Sequence, residues 1–386
     1  MDIKLFTTIL KDKHFPDYKK LKYKYSDNFG AFLETLAELY YKPLPIMDFA
    51  ETPLVFIENH AAINQGTIKL LLQAQNQHYG VKAAEDEIIA TSAIESIDFS
   101  RDSVRNILKG LAPKDEQENR ILGLKKGLEF IADTSNRITE ENLYQLYMMT
   151  VGDFLTGDDR LKDGCFYRHD TVYVVGSQVE HTGLDYRKVP EYMQSLIEFI
   201  NADDDINDLL KAAIIHFCLA FIHPYFDGNG RIARLLHLWF LIQKGYQSAL
   251  FIPFSSNIEK SRKAYYDAYT LIEENYKLNG RVDVTPFIMY FVNNVYNKMS
   301  DGTISVDTIA VYEEALKTGK ITEKEKQLWQ FVLSCYGTGE FSTKQLEKDF
   351  GNAAYATIRA FVLKFEELGL LTSTKYGTRV KYKVVG

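Results

Sequence analysis

The chain has 386 residues, 46% of them hydrophobic, enough apolar material for two or three packed domains. A formal net charge of −7 excludes bulk nucleic-acid binding by the whole chain, though not by a single module. The longest apolar stretch, Ala212 to Ile222, is too short to cross a bilayer and contains His216, so no membrane role is expected. Met1-Asp2-Ile3-Lys4-Leu5 does not open a signal peptide. Cys165, Cys218 and Cys335 are unspaced and stand in dissimilar contexts, which points to free thiols in a reducing compartment and a cytoplasmic protein.

In chain order, Phe29 to Tyr41 carries apolar residues at helical spacing, and Pro43-Leu44-Pro45 with Pro53 marks a connector. Residues 54–80 read as a helix or helix pair, with Val55, Ile57, Ala61, Ile63, Ile68, Leu70, Leu71 and Leu72 as its apolar positions. Helical patterns continue over Glu85 to Ile97, through Ile107, Leu108 and Leu111, and through Ile121, Leu124, Leu128 and Ile131. Thr139-Glu140-Glu141-Asn142 caps a helix over Leu143 to Val151. Gly164-Cys165-Phe166-Tyr167-Arg168 leads into Thr171-Val172-Tyr173-Val174-Val175-Gly176, a strand or hairpin signal in a mostly helical chain. His169 and His181 flank it and read as surface or hydrogen-bonding residues. Another helix starts at Val189-Pro190, and the acids of Asn201 to Asp205 read as a solvated loop rather than a cation site. A buried helix over Leu209 to Ile222 and a second over Ile232 to Ile242 enclose the most informative segment. Ser255-Ser256-Asn257 should cap one helix running to Leu278, and Val284 to Met299 forms one more.

The informative segment is His223-Pro224-Tyr225-Phe226-Asp227-Gly228-Asn229-Gly230-Arg231-Ile232-Ala233-Arg234. Pro224 pushes His223 out of the α region, so the first helix stops there. Gly228 and Gly230 permit positive φ or close backbone approach, and their N–H groups, with that of Asn229, can form an anion-binding concavity. The N-terminus of the following helix adds oriented donors, and Arg231 and Arg234 project from its first turn. Asp227, one carboxylate beside a phosphate cradle, suits Mg²⁺. His223 is the side chain here whose ordinary pKa lies near neutrality, the natural general base for an attacking hydroxyl. Taken singly, a Gly-Asn-Gly is a turn and a His at a helix end is a cap. Together and in this order they describe displacement at a phosphorus of a Mg²⁺-bound nucleotide.

This segment resembles the motif of the Fic-domain family, His-x-Phe-x-Asp/Glu-Gly-Asn-Gly-Arg-x-x-Arg, with Tyr225 where the family has Phe. The resemblance implies an enzyme that transfers AMP from ATP to a Ser, Thr or Tyr hydroxyl of a protein. It implies His223 as base, Asp227 as Mg²⁺ ligand, Gly228, Asn229 and Gly230 around the α- and β-phosphates, and Arg231 and Arg234 facing the β- and γ-phosphates. Gly230 speaks against the kinase-like branch, which carries Lys there. Upstream, Thr91-Ser92-Ala93-Ile94-Glu95-Ser96 resembles the family's inhibitory motif, Ser/Thr-x-x-x-Glu-Gly/Asn, with Ser96 departing from it. Thr91 and Glu95 share one helix face, and a carboxylate paired with Arg234 takes the place meant for the γ-phosphate. In Fic proteins the hairpin at Val172, Tyr173, Val174 and Val175 is a flap that pairs with the target peptide as an added strand.

After Asp301-Gly302-Thr303 a helical connector runs to about Lys320. Glu323 to Cys335, Ser342 to Phe350 and Ala353 to Leu368 read as three helices, the last ended by Gly369. Leu370 to Ser373 and Arg379 to Val384 read as a strand pair around Tyr376-Gly377. This segment resembles a winged helix-turn-helix and holds ten Lys and Arg against seven acids. Arg359, Lys375, Arg379, Lys381 and Lys383 are its candidates for DNA contact; such modules also serve protein interaction or dimerisation.

The expected fold is therefore mainly α, a Fic-type helical bundle with a small β-hairpin flap and a C-terminal winged helix. The expected divisions are 1–84 as an N-terminal helical cap, 85–300 as the core with its inhibitory helix, 301–320 as linker and 321–386 as the winged-helix unit. The function read from these features is self-inhibited protein adenylyltransfer with ATP and Mg²⁺, acting on a hydroxyl-bearing protein or on itself. The alternatives are transfer of another phosphate-linked group, removal of AMP, or a nucleotide-sensing DNA-binding regulator. The target, the choice of nucleotide, a homodimer and the signal that relieves inhibition are left open.

Overall fold

The structure is a computed structural model that describes residues 1–49, 51–60, 62–72, 80–175, 179–252, 254–299, 306–336 and 339–385. Its buried apolar side chains fall into three clusters.

The first cluster is N-terminal. Helices α1 (Ile3–Leu10), α2 (Tyr18–Lys24) and α3 (Ser26–Leu39) pack Phe6, Tyr18, Phe29, Phe32 and Leu36 together. Asp2 and Asp17 cap α1 and α2, each side chain accepting a first-turn N–H.

Leu44, Ile46, Phe49, Leu54, Phe56 and Leu71 pack in the second and largest cluster, while Ile57 packs in the first. Strand β1 (Lys42–Pro43) pairs antiparallel with β2 (Leu54–Phe56). The helix expected from residue 54 is thus a strand, followed by a 3-10 turn and α4 (Gln65–Leu72). The rest of that expectation, residues 73–79 and Ala61, lies outside the described residues.

The bundle continues with α5 (Gly80–Ile94), α6 (Arg101–Leu108), α7 (Glu116–Ala132) and α8 (Glu140–Thr150). Thr139 caps α8 as expected, accepting from the Asn142 N–H. Then come the hairpin β3 (Tyr173–Val175) and β4 (Val179–Thr182), and α9 (Val189–Asn201) with Pro190 in its first turn. Helices α10 (Asp208–Ile222) and α11 (Asn229–Gln243) are apolar on nearly every side and form the buried centre.

The single helix expected from Ser255 is two, α12 (Phe254–Lys260) and α13 (Arg262–Asn279), broken at Ser261. Strand β5 (Val282–Asp283) pairs parallel with β2, and α14 (Thr285–Tyr290) runs through a π-helical turn into α15 (Asn297–Met299). Buried Asp283 ties the first two clusters together, accepting from the hydroxyls of Tyr18 (2.6 Å) and Tyr41 (3.1 Å).

The third cluster is C-terminal. Helix α16 (Val306–Lys317) lies in the expected linker but contributes Ala315 and Tyr312, the latter stacked on Trp329. Residues 301–305 lie outside the described residues. Helices α17 (Glu323–Cys335), α18 (Thr343–Phe350) and α19 (Tyr355–Glu367) precede the antiparallel hairpin of β6 (Leu371–Tyr376) and β7 (Arg379–Val384), the element order expected of this segment. An isolated antiparallel bridge between Phe341 and Tyr382 adds a one-residue third strand beside β7. Helix α17 also packs against α5 of the central bundle.

Candidate active site

The site is built where α10 turns into α11. Helix α10 stops at Ile222, and His223 is its C-cap in the left-handed region (φ 55, ψ 61). Pro224 does exclude the helical conformation, but the escape is left-handed rather than extended, a geometry that costs a non-glycine residue. His223 Nδ1 lies 3.3 Å from the Ala220 carbonyl, which can only accept, so the hydrogen bond requires the proton on Nδ1 and leaves Nε2 as the basic nitrogen.

The loop is braced from within. Asn229 Oδ1 accepts from the Tyr225 N–H (2.9 Å), and its Nδ2 donates to the Tyr225 carbonyl (2.8 Å). The Asn229 side chain is thereby committed to the loop, leaving its main-chain N–H at the helix start for a ligand. The Tyr225 ring is fully buried and stacked on Tyr147 at 3.8 Å and 4°. Gly228 takes φ 82, and a Cβ there would press on Val151, so the turn requires glycine twice over.

Asp227 is the exposed member. Its Oδ1 accepts from the Gly228 N–H (2.6 Å) and its Oδ2 from Arg231 Nη2 (2.9 Å). No group of three or more His, Cys, Asp or Glu side chains is placed to hold a metal among the described residues. A divalent ion at Asp227 would therefore share ligand oxygens and waters, the arrangement Mg²⁺ prefers, and a single accessible carboxylate fits it.

Arg234 reaches the other way. Only 1% exposed, it donates from Nε to Thr91 Oγ1 (2.7 Å) and from Nη2 to the Thr91 carbonyl (3.0 Å) and Glu95 Oε1 (2.7 Å). Burial works against its charge, but the adjacent Glu95 carboxylate outweighs that and holds the guanidinium above its ordinary pKa. A Cβ at Gly230 would collide with Glu95 Oε1 and lie 3.2 Å from Arg234 Nη1. The Glu95 carboxylate, just past the end of α5, thus sits directly over the N-terminus of α11. Arg234 Nη1 and Arg231 Nε are buried with no hydrogen-bond partner among the described residues. This is a positively charged helix start with donors to spare, filled by an anion from the chain itself.

Helix α5 is anchored for this. Glu87 and Thr91 lie four residues apart on one face of α5, and Glu95 follows in the turn just past its last residue. Buried Glu87 accepts from the Ser255 N–H (2.7 Å) and from its hydroxyl, so Ser255 holds α5 rather than capping α12. Glu85 receives Arg101 (2.8 Å) and Arg105 (2.9 Å) of α6. Ser96 is left-handed (φ 61), the conformation that Gly or Asn favours, which explains the residue type from which it departs.

The sequence matches the Fic/DOC family over residues 137–241, the stretch from α8 through α11 that contains this whole loop. Residues 137–241 are a Fic/DOC segment. It is 28% identical over 230 residues to a protein adenylyltransferase Fic of Culex quinquefasciatus, covering 55% of this chain and 41% of the relative. A protein of the same description from Drosophila ananassae is 26% identical over 215 residues, covering 53% and 39%. The match thus spans about two fifths of the length of these relatives. A solved Fic family protein from Desulfovibrio desulfuricans G20 aligns over 84% of this chain and 97% of its own, with a TM-score of 0.48 and 19% identity.

Beside the Fic loop stands the hairpin, where Tyr173 is 61% exposed and Val172 is buried. The side chains of Val174, Val175 and His181 lie outside the described residues, and β3 carries an irregularity between Val174 and Val175. His169 packs edge-on against Phe226. The loop acids Asp204 and Asp205 accept from Lys211 (2.8 Å) and Lys42 (3.1 Å). Sequence reasoning missed Glu87, Ser255 and Arg168. Glu87 was findable as the next member of the Thr91 and Glu95 face. Arg168 was signalled only by being a cation in an aromatic run.

Proposed function

We propose that this protein transfers AMP from ATP to a Ser, Thr or Tyr hydroxyl of a protein, itself included, and that Glu95 holds it inactive. The observation that carries this reading is the Glu95 carboxylate over Gly230, paired with Arg234 at the start of α11. A built anion site filled by a carboxylate is what inhibition by exclusion of a phosphate requires.

With Glu95 withdrawn, the main-chain N–H groups of residues 228–230 and the guanidiniums of Arg231 and Arg234 would bind the phosphates. Asp227 would hold Mg²⁺, whose charge would offset that of the phosphates. A target hydroxyl oxygen then bonds to the α-phosphorus, its proton passes to Nε2 of His223, and the bond to the bridging oxygen breaks to release pyrophosphate. The exposed β3 edge at Tyr173 suits pairing with a target strand. The C-terminal unit offers Arg359, Lys375, Arg379 and Lys383 as exposed cations for DNA or a protein, while Lys381 lies 3.3 Å from Glu340.

The test is intact-protein mass spectrometry after incubation with Mg²⁺ and ATP. Glu95→Gly is expected to gain the mass of AMP, and the wild type and Glu95→Gly/His223→Ala to gain none. If Glu95→Gly stays blank with ATP, and with UTP, GTP, CTP and CDP-choline, the transfer reading gives way to AMP removal or nucleotide sensing.

A further inference from the structure

Arg168 is a buried cation whose hydrogen-bond acceptors among the described residues are carbonyls. It is 2% exposed and forms no ion pair among the described residues. Its Nε donates to the His223 carbonyl (2.7 Å), its Nη1 to the Asp170 carbonyl (2.8 Å) and its Nη2 to the Leu184 carbonyl. Its own N–H donates to the Pro224 carbonyl (2.9 Å). Burying a guanidinium is costly, and burial does depress its pKa from the ordinary value, with the charges of Asp185 and Asp170 opposing it only in part. Such an arrangement persists only where the fan of five donors serves several acceptors at once.

The acceptors belong to two bodies. Asp170 and Leu184 are the two ends of the hairpin stem, just before β3 and just after β4, closed by Gly183 N–H to the Val172 carbonyl (3.1 Å). Gly183 lacks a Cβ that would lie 2.7 Å from Val172 Cγ2 and 3.0 Å from Arg168 Nη2, so the stem is packed onto the guanidinium. His223 and Pro224 are the first two residues of the catalytic loop, and His223 is held in a left-handed conformation whose carbonyl direction the Arg168 Nε bond fixes.

We propose that Arg168 is a positioning residue: it couples the hairpin to the His223 loop and so sets the placement of an incoming hydroxyl relative to the base. This rests on the transfer reading, with the hairpin as the target-holding element. Misplacement of reacting groups by about 1 Å costs on the order of 100-fold in rate. Lysine, a point charge with three donors on one atom, cannot span carbonyls on two bodies as the planar fork does.

The test uses the full chain in the Glu95→Gly background, with Arg168→Met and Arg168→Lys. Expected for Arg168→Met is AMP transfer slower by about 100-fold, with KM for ATP unchanged because the α11 cradle is untouched. Amide exchange in residues 171–175 and 179–184 should rise at least about tenfold, while α10 and α11 keep their protection. Arg168→Lys should recover part of both. Should Arg168→Met not fold, Arg168→Lys alone is expected to show a partial loss of both. Unchanged exchange in the hairpin overturns the proposal, as does a loss of rate accompanied by faster exchange throughout the bundle. If the Glu95→Gly parent transfers no AMP, the transfer reading fails; the exchange measurement, which needs no activity, still decides whether Arg168 couples the two bodies.

Discussion

Replacing Glu95 should both loosen the chain and open it to ATP. Arg234 donates three hydrogen bonds to α5, two to Thr91 and one to Glu95 Oε1 at 2.7 Å. Glu95→Gly removes the third and the countercharge. Losing one partner of a fully buried pair costs about 3–5 kcal/mol. The Glu95 side chain is 29% exposed and Thr91 still engages Arg234, so a charged hydrogen bond of about 1.5–3 kcal/mol is the better figure. At roughly 2–4 °C per kcal/mol, the ligand-free variant should melt several degrees below the wild type. ATP with Mg²⁺ at about 100 times its Kd returns about 2.7 kcal/mol. In the wild type displacing Glu95 takes back about the same 1.5–3 kcal/mol, so the two melting curves are expected to converge when ATP is added, the variant showing the larger shift. Glu95→Gln, which keeps an acceptor but no charge, should fall between. Differential scanning fluorimetry reads all three. Equal melting without ATP and equal shifts with it would refute the view that Glu95 fills the anion site.

Tyr225→Phe should stabilise by about 1 kcal/mol in urea melts, because the Tyr225 hydroxyl is buried with no partner among the described residues; a loss would show that it is satisfied. Ser96→Asn, which suits the left-handed φ of 61, should add about 0.5–1 kcal/mol and slow any basal self-modification, and an unchanged melt would remove strain at that helix end. Glu87 gives a pH signature. Burial raises its carboxyl pKa above 4.5, partly opposed by donation from Ser255, so the folded state prefers the proton. The stability it contributes is present below pH 4.5 and is lost as pH rises through the raised folded value. Glu87→Gln should therefore stabilise near neutral pH and change little below pH 4.5; the same effect at both would exclude burial as the cause.

Much of the centre was legible because its chemistry is local. Twelve consecutive residues fix the cap, the turn and the helix start, and the four-residue spacing of Thr91 and Glu95 fixes a common face. What escaped depends on distant partners. Leu54 to Phe56 is a short apolar run that a helix or a strand could carry, and its pairing with Val282 and Asp283 decides for the strand. Ser255 has the chemistry of an N-cap, but Glu87, far away in sequence, takes both its N–H and its hydroxyl. Asn229 turned inward because two main-chain groups of Tyr225 were within its reach. Arg168 has no recognisable motif, since its acceptors are carbonyls, which every residue possesses.

Helix α5 is a shared wall. On one side its Glu95 fills the centre; α17 of the C-terminal unit rests against the same helix. Were the carboxylate to retract with a shift of α5, the seat of α17 would change with it. If Glu95 inhibits as proposed, an occupant of the C-terminal unit that favours one seat over the other would shift the fraction of open centres by its difference in affinity for the two, and by no more than that. Two sites that share neither a residue nor a ligand would then be coupled through one helix.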